Sequence, residues 1–313
     1  MPNLVKKFQN TCFQNELLKK GDRIILAISG GPDSISMLDI FSHLQKKYSL
    51  NLIIAHVNYG LRGIDSNRDE KFVRKLAKDY EIKIIVKKIK VSKNKISENI
   101  LREIRYDFFK KLRADYNFDC IAVAHNADDQ AETFLMRIIR GSGTSGLTAM
   151  KFKNGHIIRP LLSITRQEIL TYIKENKLKY RIDKTNRQNK FLRNKIRNKL
   201  IPILEKNFNP KIKQTIFDYL VSISEDSQYL EKTALKNSKG LEIKRLEKLH
   251  PAILRRVLRN NIKDIKGDLK NISANNIKEI IKIIKSTKNK TQAVVMSGLK
   301  IIKKSDKLII IKN

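Results

Sequence analysis

Apolar runs and amphipathic stretches alternate through the first half of the chain. RIILAIS (23–29), NLIIAHV (51–57), IKIIVKKI (82–89) and DCIAVAH (119–125) are short and rich in Ile and Val, which predicts strands. Between them, 35–47, 67–80 and 97–115 read as helices. HIIRPLL (156–162) predicts a further strand, and TRQEILTYIKENK (165–177) a helix with Thr165 and Glu168 at capping-box spacing. Strands alternating with helices predict an α/β class, with a doubly wound, mainly parallel sheet whose ligands gather at the carboxyl ends of the strands.

Past IPILEKNFNP (201–210) the strand pattern stops. Segments 211–236 and 251–263 predict helices, and QAVVMSG, LKIIKKSD and KLIIIKN predict a small terminal β meander. A chain of 313 residues is long for one hydrophobic core. The pattern therefore predicts two domains, 1–215 and a smaller, mainly α-helical, basic 216–313. No apolar run approaches the roughly 20 residues of a membrane helix. The first residues, MPNLVKKFQNTCFQNELLKK, lack the apolar core of a secretory signal, so the expectation is a cytoplasmic protein with no membrane partner.

Charge changes this picture more than composition does. The formal net charge is +35, and it is uneven: residues 1–150 hold 26 Lys+Arg against 17 Asp+Glu, residues 151–313 hold 40 against 14. A field of that sign concentrates polyanions and suits phosphate-backbone contact, although abundant Lys, Ile and Asn also arise from AT-rich coding. Cys12 and Cys120 are the two cysteines, too far apart in sequence for a Cys-x-x-Cys metal or redox motif.

The stretch AISGGPDSISML (27–38) lies where the first strand gives way to a helix. Gly30 and Gly31 permit close backbone approach, Ser29 and Ser34 offer hydroxyls, and a helix starting near Ser34 turns its free N–H groups on the same point, a phosphate site. Asp33 beside phosphate oxygens calls for Mg²⁺ between them. By itself the stretch also serves as a capped strand-to-helix turn; it is neither Walker A nor a Gly-x-Gly-x-x-Gly fingerprint. In AHNADDQAETFLMRIIRGSG (124–143), His125 falls at a strand's carboxyl edge. Asp128 and Glu132 are spaced i, i+4 and Asp129 and Glu132 i, i+3, on one helix face. Such carboxylates hold Mg²⁺ on a triphosphate or grip an ammonium group; on spacing alone a solvated acidic helix start is the preferred reading.

Ser-Gly-Gly-x-Asp-Ser after a first strand resembles the pyrophosphate-binding loop of the N-type ATP pyrophosphatases, the PP-loop enzymes, and the 124–143 string resembles that of tRNA(Ile)-lysidine synthetases. HVNYGLRGIDSNRDE (56–70), SENILREIRYDFF (97–109), RPLL (159–162) and DKTNRQNKFLRNKIRNKLIP (183–202) extend the resemblance over about 23–202, with a short basic tail like the compact form of the family. The resemblance implies a Rossmann-like PP-loop ATPase fold and a ligase. Its substrate would be the wobble cytidine of an isoleucine tRNA with a CAU anticodon. The cytidine is adenylated by ATP, then coupled to the ε-amine of free L-lysine, giving lysidine, AMP and pyrophosphate and recoding the tRNA from AUG to AUA.

By the same resemblance, Ser29, Gly30, Gly31, Pro32, Asp33 and Ser34 hold ATP phosphates, with Asp33 and Asp128 on the Mg²⁺ side. Arg105, His125, Asp129 and Glu132 form the catalytic group, Asp129 and Glu132 meeting the lysine. Read from the residues, Arg62 in its glycine-flanked loop suits an RNA or phosphate contact, and Arg140 before GSGTSG suits either closure over nucleotide or a helix end. FLRNKIRNKL (191–200) reads as an amphipathic helix whose Arg193 and Arg197 face either a phosphate backbone or solvent; these four arginines are the expected tRNA contacts. Which carboxylate serves metal and which serves lysine stays open, as does homodimerisation. Thiolases of the 2-thiocytidine type need paired cysteines that Cys12 and Cys120 do not supply, and GMP or asparagine synthetases leave the charge unexplained. A noncatalytic RNA binder would gain by losing Asp33, Asp128, Asp129 and Glu132.

Overall fold

In the computed structural model, which describes residues 4–61, 63–89, 97–181, 191–288 and 290–313 apart from the side chain of Glu98, strand β1 (Arg23–Ala27) is buried on both faces. Successive side chains of a strand point to opposite faces, so Ile24 and Leu26 enter one core and Ile25 enters another. The same alternation divides β2 (Asn51–Asn58), where Leu52 and Ile54 join the first core and Ile53 and Ala55 the second. With β3 (Lys83–Lys88), β4 (Cys120–Val123), β5 (Lys153–Asn154) and β6 (Ile157–Ile158) these strands form one sheet in the order β3-β2-β1-β4-β6-β5. Every pairing is parallel except β5 with β6.

Helices cover both faces. On one side lie α1 (Leu4–Gln14), α2 (Pro32–Tyr48), α3 (Ile64–Asp79) and α7 (Arg166–Glu175), whose Phe8, Phe41, Val73 and Ile169 share a core with Ile24 and Leu26. On the other lies α4 (Glu98–Asp115), bringing Tyr106, Phe109 and Leu112 to Ile25 and Ile121. The sheet's order reverses between β1 and β4, so the loops leaving those two strands flank the crevice where such sheets bind ligands. The remaining elements of this region are α5 (Ala127–Ile139), α6 (Thr144–Leu147), α8 (Leu192–Lys195), a π-helical turn (Ile196–Leu200) and α9 (Ile201–Asn207).

The expected α/β architecture is present, with two differences. The last expected strand, 156–162, shrinks to Ile157–Ile158, because Pro160 has no N–H to continue a ladder and 159–162 turns instead. Helix α1 had no counterpart in the sequence reading; its Leu4, Phe8 and Cys12 are spaced i, i+4 and buried, with Phe8 edge-on to Phe41 at 5.2 Å.

The chain divides into two compact units, Met1–Leu220 and Val221–Asn313. The second contains α11 (Ile243–Glu247), α12 (Pro251–Lys266), α13 (Ala274–Ile284) and an antiparallel sheet of β7 (Gln292–Met296), β8 (Leu299–Lys304) and β9 (Lys307–Lys312). Its core joins Leu246, Val257, Leu258, Ile280, Leu299 and Ile301. Both the division at 220/221 and the expected junction at 215/216 fall inside one helix, α10 (Ile212–Lys236), which explains why no Gly or Pro marks a linker. Among the described residues, no helix is long and apolar enough to cross a membrane.

Candidate active site

The loop between β1 and α2 is held open by its own serine. Ser34 Oγ accepts from the backbone N–H of Ser29 at 3.2 Å and of Gly30 at 3.1 Å, and donates to the Gly31 carbonyl at 2.9 Å. Gly30 has φ +92°, a conformation side chains rarely adopt, and a Cβ there would sit 3.4 Å from Val73 Cγ2. Gly31 is the N-cap of α2 and Pro32 its first residue, so the helix end presents its dipole to the loop. The Arg181 N–H donates to the Gly30 carbonyl at 2.9 Å while its Nε donates to Asp69 at 2.7 Å, tying the chain after α7 to the loop and to α3.

Asn126 joins this loop to the one that follows β4. Its side-chain N–H donates to Asp33 Oδ1 at 3.2 Å, and its side-chain oxygen accepts from the Asp129 N–H at 3.0 Å, closing a capping box at the start of α5. Asp33 is further paired with the Arg166 guanidinium. Burial raises its carboxyl above the usual range, Arg166 draws it back, and the Asp129 charge raises it again. Asp128 accepts from the Arg166 N–H at 2.9 Å and pairs with Lys213 at 2.8 Å. Arg166 therefore touches both expected metal-side acids, one through its side chain and one through its backbone.

Asp129 and Glu132 are buried, at 8% and 1% exposure, so they are no solvated helix start. Buried carboxylates need cations, and Arg193 and Arg197 provide them. Arg193 reaches Asp129 and Glu132 at 2.7 Å each, and Arg197 reaches Glu132 at 2.5 Å and Asp129 at 3.3 Å. Burial opposes the charge of Asp129, but Arg193 and the N–H that Asn126 donates outweigh it and hold the carboxyl below its usual range. The two arginines were expected on a tRNA-facing surface; their guanidinium groups instead turn inward onto the acids.

His125 lies just beyond the end of β4, and burial pushes its imidazole down to about 3 despite the Asp129 charge. The ring is neutral at pH 7, and its buried Nδ1 has no hydrogen-bond partner among the described residues. Arg105, on α4, places its guanidinium 5.7 Å from the Tyr106 ring centre, and its charge lowers the Tyr59 hydroxyl that burial otherwise raises. Arg140 is the exposed C-cap of α5. Arg62 lies outside the described residues.

The structure brings the 29–34 loop, Asp128, Asp129, Glu132, His125, Arg193 and Arg197 together, and adds residues the sequence reading missed. Asn126 and Arg166 bridge acids and loops, and Arg159 is buried near His125. Arg166 stood beside a capping box that absorbed all its signal, and nothing local to Asn126 or Arg159 announces a partner far away in sequence. As for a metal, no three His, Cys, Asp or Glu side chains gather as a site among the described residues. Mg²⁺ on a nucleotide needs only one or two carboxylates beside phosphate oxygens and water. Both acids are engaged, Asp33 by Asn126 and Arg166 and Asp128 by Lys213 and the Arg166 N–H; Asp33, partly exposed at the loop, is the one that stands beside the phosphate site.

Comparison with known proteins is consistent with this geometry. The PP-loop domain family matches residues 2–204. A tRNA(Ile)-lysidine synthase of Clostridium tetani is 40% identical over 90% of this chain and 63% of its own length. Those of Clostridioides difficile (35% identical, 97% of this chain, 70% of the relative) and Chlorobaculum tepidum (37%, 79% and 74%) are similar. The chain thus spans less than two thirds of the first of these relatives. Among solved structures, the U34-tRNA thiolase NcsA of Methanococcus maripaludis, with its [4Fe-4S] cluster, superposes with a TM-score of 0.58 over 71% of this chain and 78% of that one, at 22% identity, a likeness of fold.

Proposed function

Because the chain belongs to the tRNA(Ile)-lysidine synthase family of PP-loop proteins, we propose that it is an ATP-dependent ligase joining free L-lysine to the wobble cytidine of a CAU-anticodon isoleucine tRNA in the cytoplasm. The observation that carries this reading is the convergence at the sheet's switch point. A preformed phosphate loop after β1 and a buried acid pair after β4 are bridged by Asn126. A phosphate loop alone serves many reactions; a phosphate loop next to buried acids serves one in which an activated phosphate ester meets an amine.

In the first step the cytidine carbonyl oxygen attacks the α-phosphate of ATP and pyrophosphate leaves. The N–H groups at the start of α2 bind the phosphates, and Arg166, adjacent to Asp33, supplies positive charge where the leaving group's charge grows. Mg²⁺, when bound, neutralises phosphate charge, and Asp33 is the side chain that would hold it. In the second step the lysine ε-amine attacks the cytidine carbon that bears the activated oxygen, the carbon–oxygen bond breaks, and AMP leaves with that oxygen. Asp129 and Glu132 draw in the lysine ammonium, taking over positions now held by Arg193 and Arg197. The nitrogen loses its proton to solvent, beside a His125 that burial keeps neutral.

A thiolase chemistry has no support in this chain. Burial pushes the Cys120 thiol up to about 12 and Cys12 higher still, so neither is a ready thiolate. The test of the ligase reading is pyrophosphate release from ATP with a CAU isoleucine tRNA transcript, with and without lysine. The reading expects tRNA-dependent release and AMP formation completed by lysine; release indifferent to tRNA would overturn it.

A further inference from the structure

Next to His125 the structure gathers positive charge and unmade hydrogen bonds at one place. Arg159 leaves the end of β6 and is 5% exposed. Its Nη1 donates to the Lys151 carbonyl at 2.8 Å, but its Nε is buried with no partner among the described residues. The Tyr106 hydroxyl and His125 Nδ1 are buried and unpartnered in the same way. Arg102 sits 5.2 Å from the centre of the Tyr106 ring, and its charge acts on Arg137, Arg159 and His125 alike. Burial lowers the Arg159 guanidinium from its usual range, and the neighbouring Tyr106 hydroxyl offsets this in part. Buried polar atoms are nearly always satisfied, and like charges crowd together only at a cost. An anion bound here repays both.

The order of the sheet says which anion. Read across its carboxyl edge, β1 leads to the phosphate loop, β4 to His125 and the acid pair, and β6 to Arg159. Phosphate thus has its own donors two strands away, and the acid pair for an ammonium lies between. Resting on the lysine reading above, we propose that Arg159, supported by Tyr106 and Arg102, binds the α-carboxylate of the incoming free amino acid. A guanidinium offers parallel N–H donors matched to a carboxylate. The site then selects a zwitterionic amino acid over a plain amine.

The experiment compares L-lysine, L-lysinamide and cadaverine as amine substrates of the full-length protein with ATP, Mg²⁺ and the tRNA transcript. The wild type should favour lysine by about 100-fold or more in kcat/KM, as expected when a buried polar site loses its ligand's matching group. Arg159→Lys should raise the KM for lysine and shrink its preference over cadaverine, a change in selectivity that a general loss of folding would not produce. Equal use of all three amines by the wild type overturns the proposal without any variant having to fold. A raised ATP KM in Arg159→Lys with the lysine preference intact assigns the cluster to phosphate and also overturns it. Should the wild type couple none of the amines, the ligase reading itself fails, an outcome separate from loss of selectivity.

Discussion

Ser34 shows how much a single hydroxyl carries in the phosphate loop. It satisfies the N–H groups of Ser29 and Gly30 and spans to the Gly31 carbonyl, so Ser34→Ala leaves those groups to find other partners. The expected cost is about 1–3 kcal/mol of stability, read from urea unfolding, with a raised KM for ATP; unchanged values for both would show that the loop is not held this way. His125 makes a second test at this scale. Its imidazole is depressed from 6.5 to about 3 by burial, so between those values the unfolded chain binds more protons than the folded one. Stability from this residue is present above about pH 6.5 and falls as the pH drops towards 3. His125→Gln should flatten that part of the stability curve, measured as urea midpoints against pH; an unaltered slope contradicts the buried, neutral ring. Ser34 and Asp129 stood out in the sequence through the family resemblance of their short motifs, since spacing alone favoured a capped turn and a solvated helix start. Arg166 and Arg159 did not, since each acquires its role from groups brought near by the sheet.

At the scale of elements, α5 and the α8 to π-helical segment form a unit through four side chains. Arg193 and Arg197 are one helical turn apart and both reach Glu132, which is buried. π-helical turns recur at functional sites, and here Ile196–Leu200 carries Arg197. Arg193→Met leaves a buried carboxylate pair with one cation fewer and should cost roughly 3 kcal/mol or more, seen as a lower urea midpoint; a neutral result means the pair is hydrated rather than sealed. The helical character of 191–200 was readable from its amphipathic pattern, whereas the direction of its arginines was not. A periodicity fixes which residues share a face, and the acids that claim that face sit about sixty residues earlier. Helix α13 escaped for another reason: its run of Ile mimics strand composition, and tertiary burial of Ile277, Ile280 and Ile284 overrides that preference.

For the molecule as a whole, the positive charge is denser along the second unit than along the first. Residues 221–313 hold 22 Lys+Arg against 9 Asp+Glu, so the second unit is strongly basic. Six or more phosphate contacts predict that tRNA affinity falls roughly 10³-fold between 50 and 200 mM salt; a flat response, measured by filter binding, would count against this unit as a tRNA platform. The doubly wound fold was legible because its strands alternate with helices in a simple order. The measurement that bears most directly on the central claim is incorporation of labelled L-lysine into a CAU isoleucine tRNA transcript, beside a methionine elongator tRNA and an Asp129→Ala variant. The account predicts ATP-dependent labelling of the isoleucine transcript, lost in the variant and absent on the methionine tRNA. Binding of the transcript with no lysine transferred under any condition would contradict it.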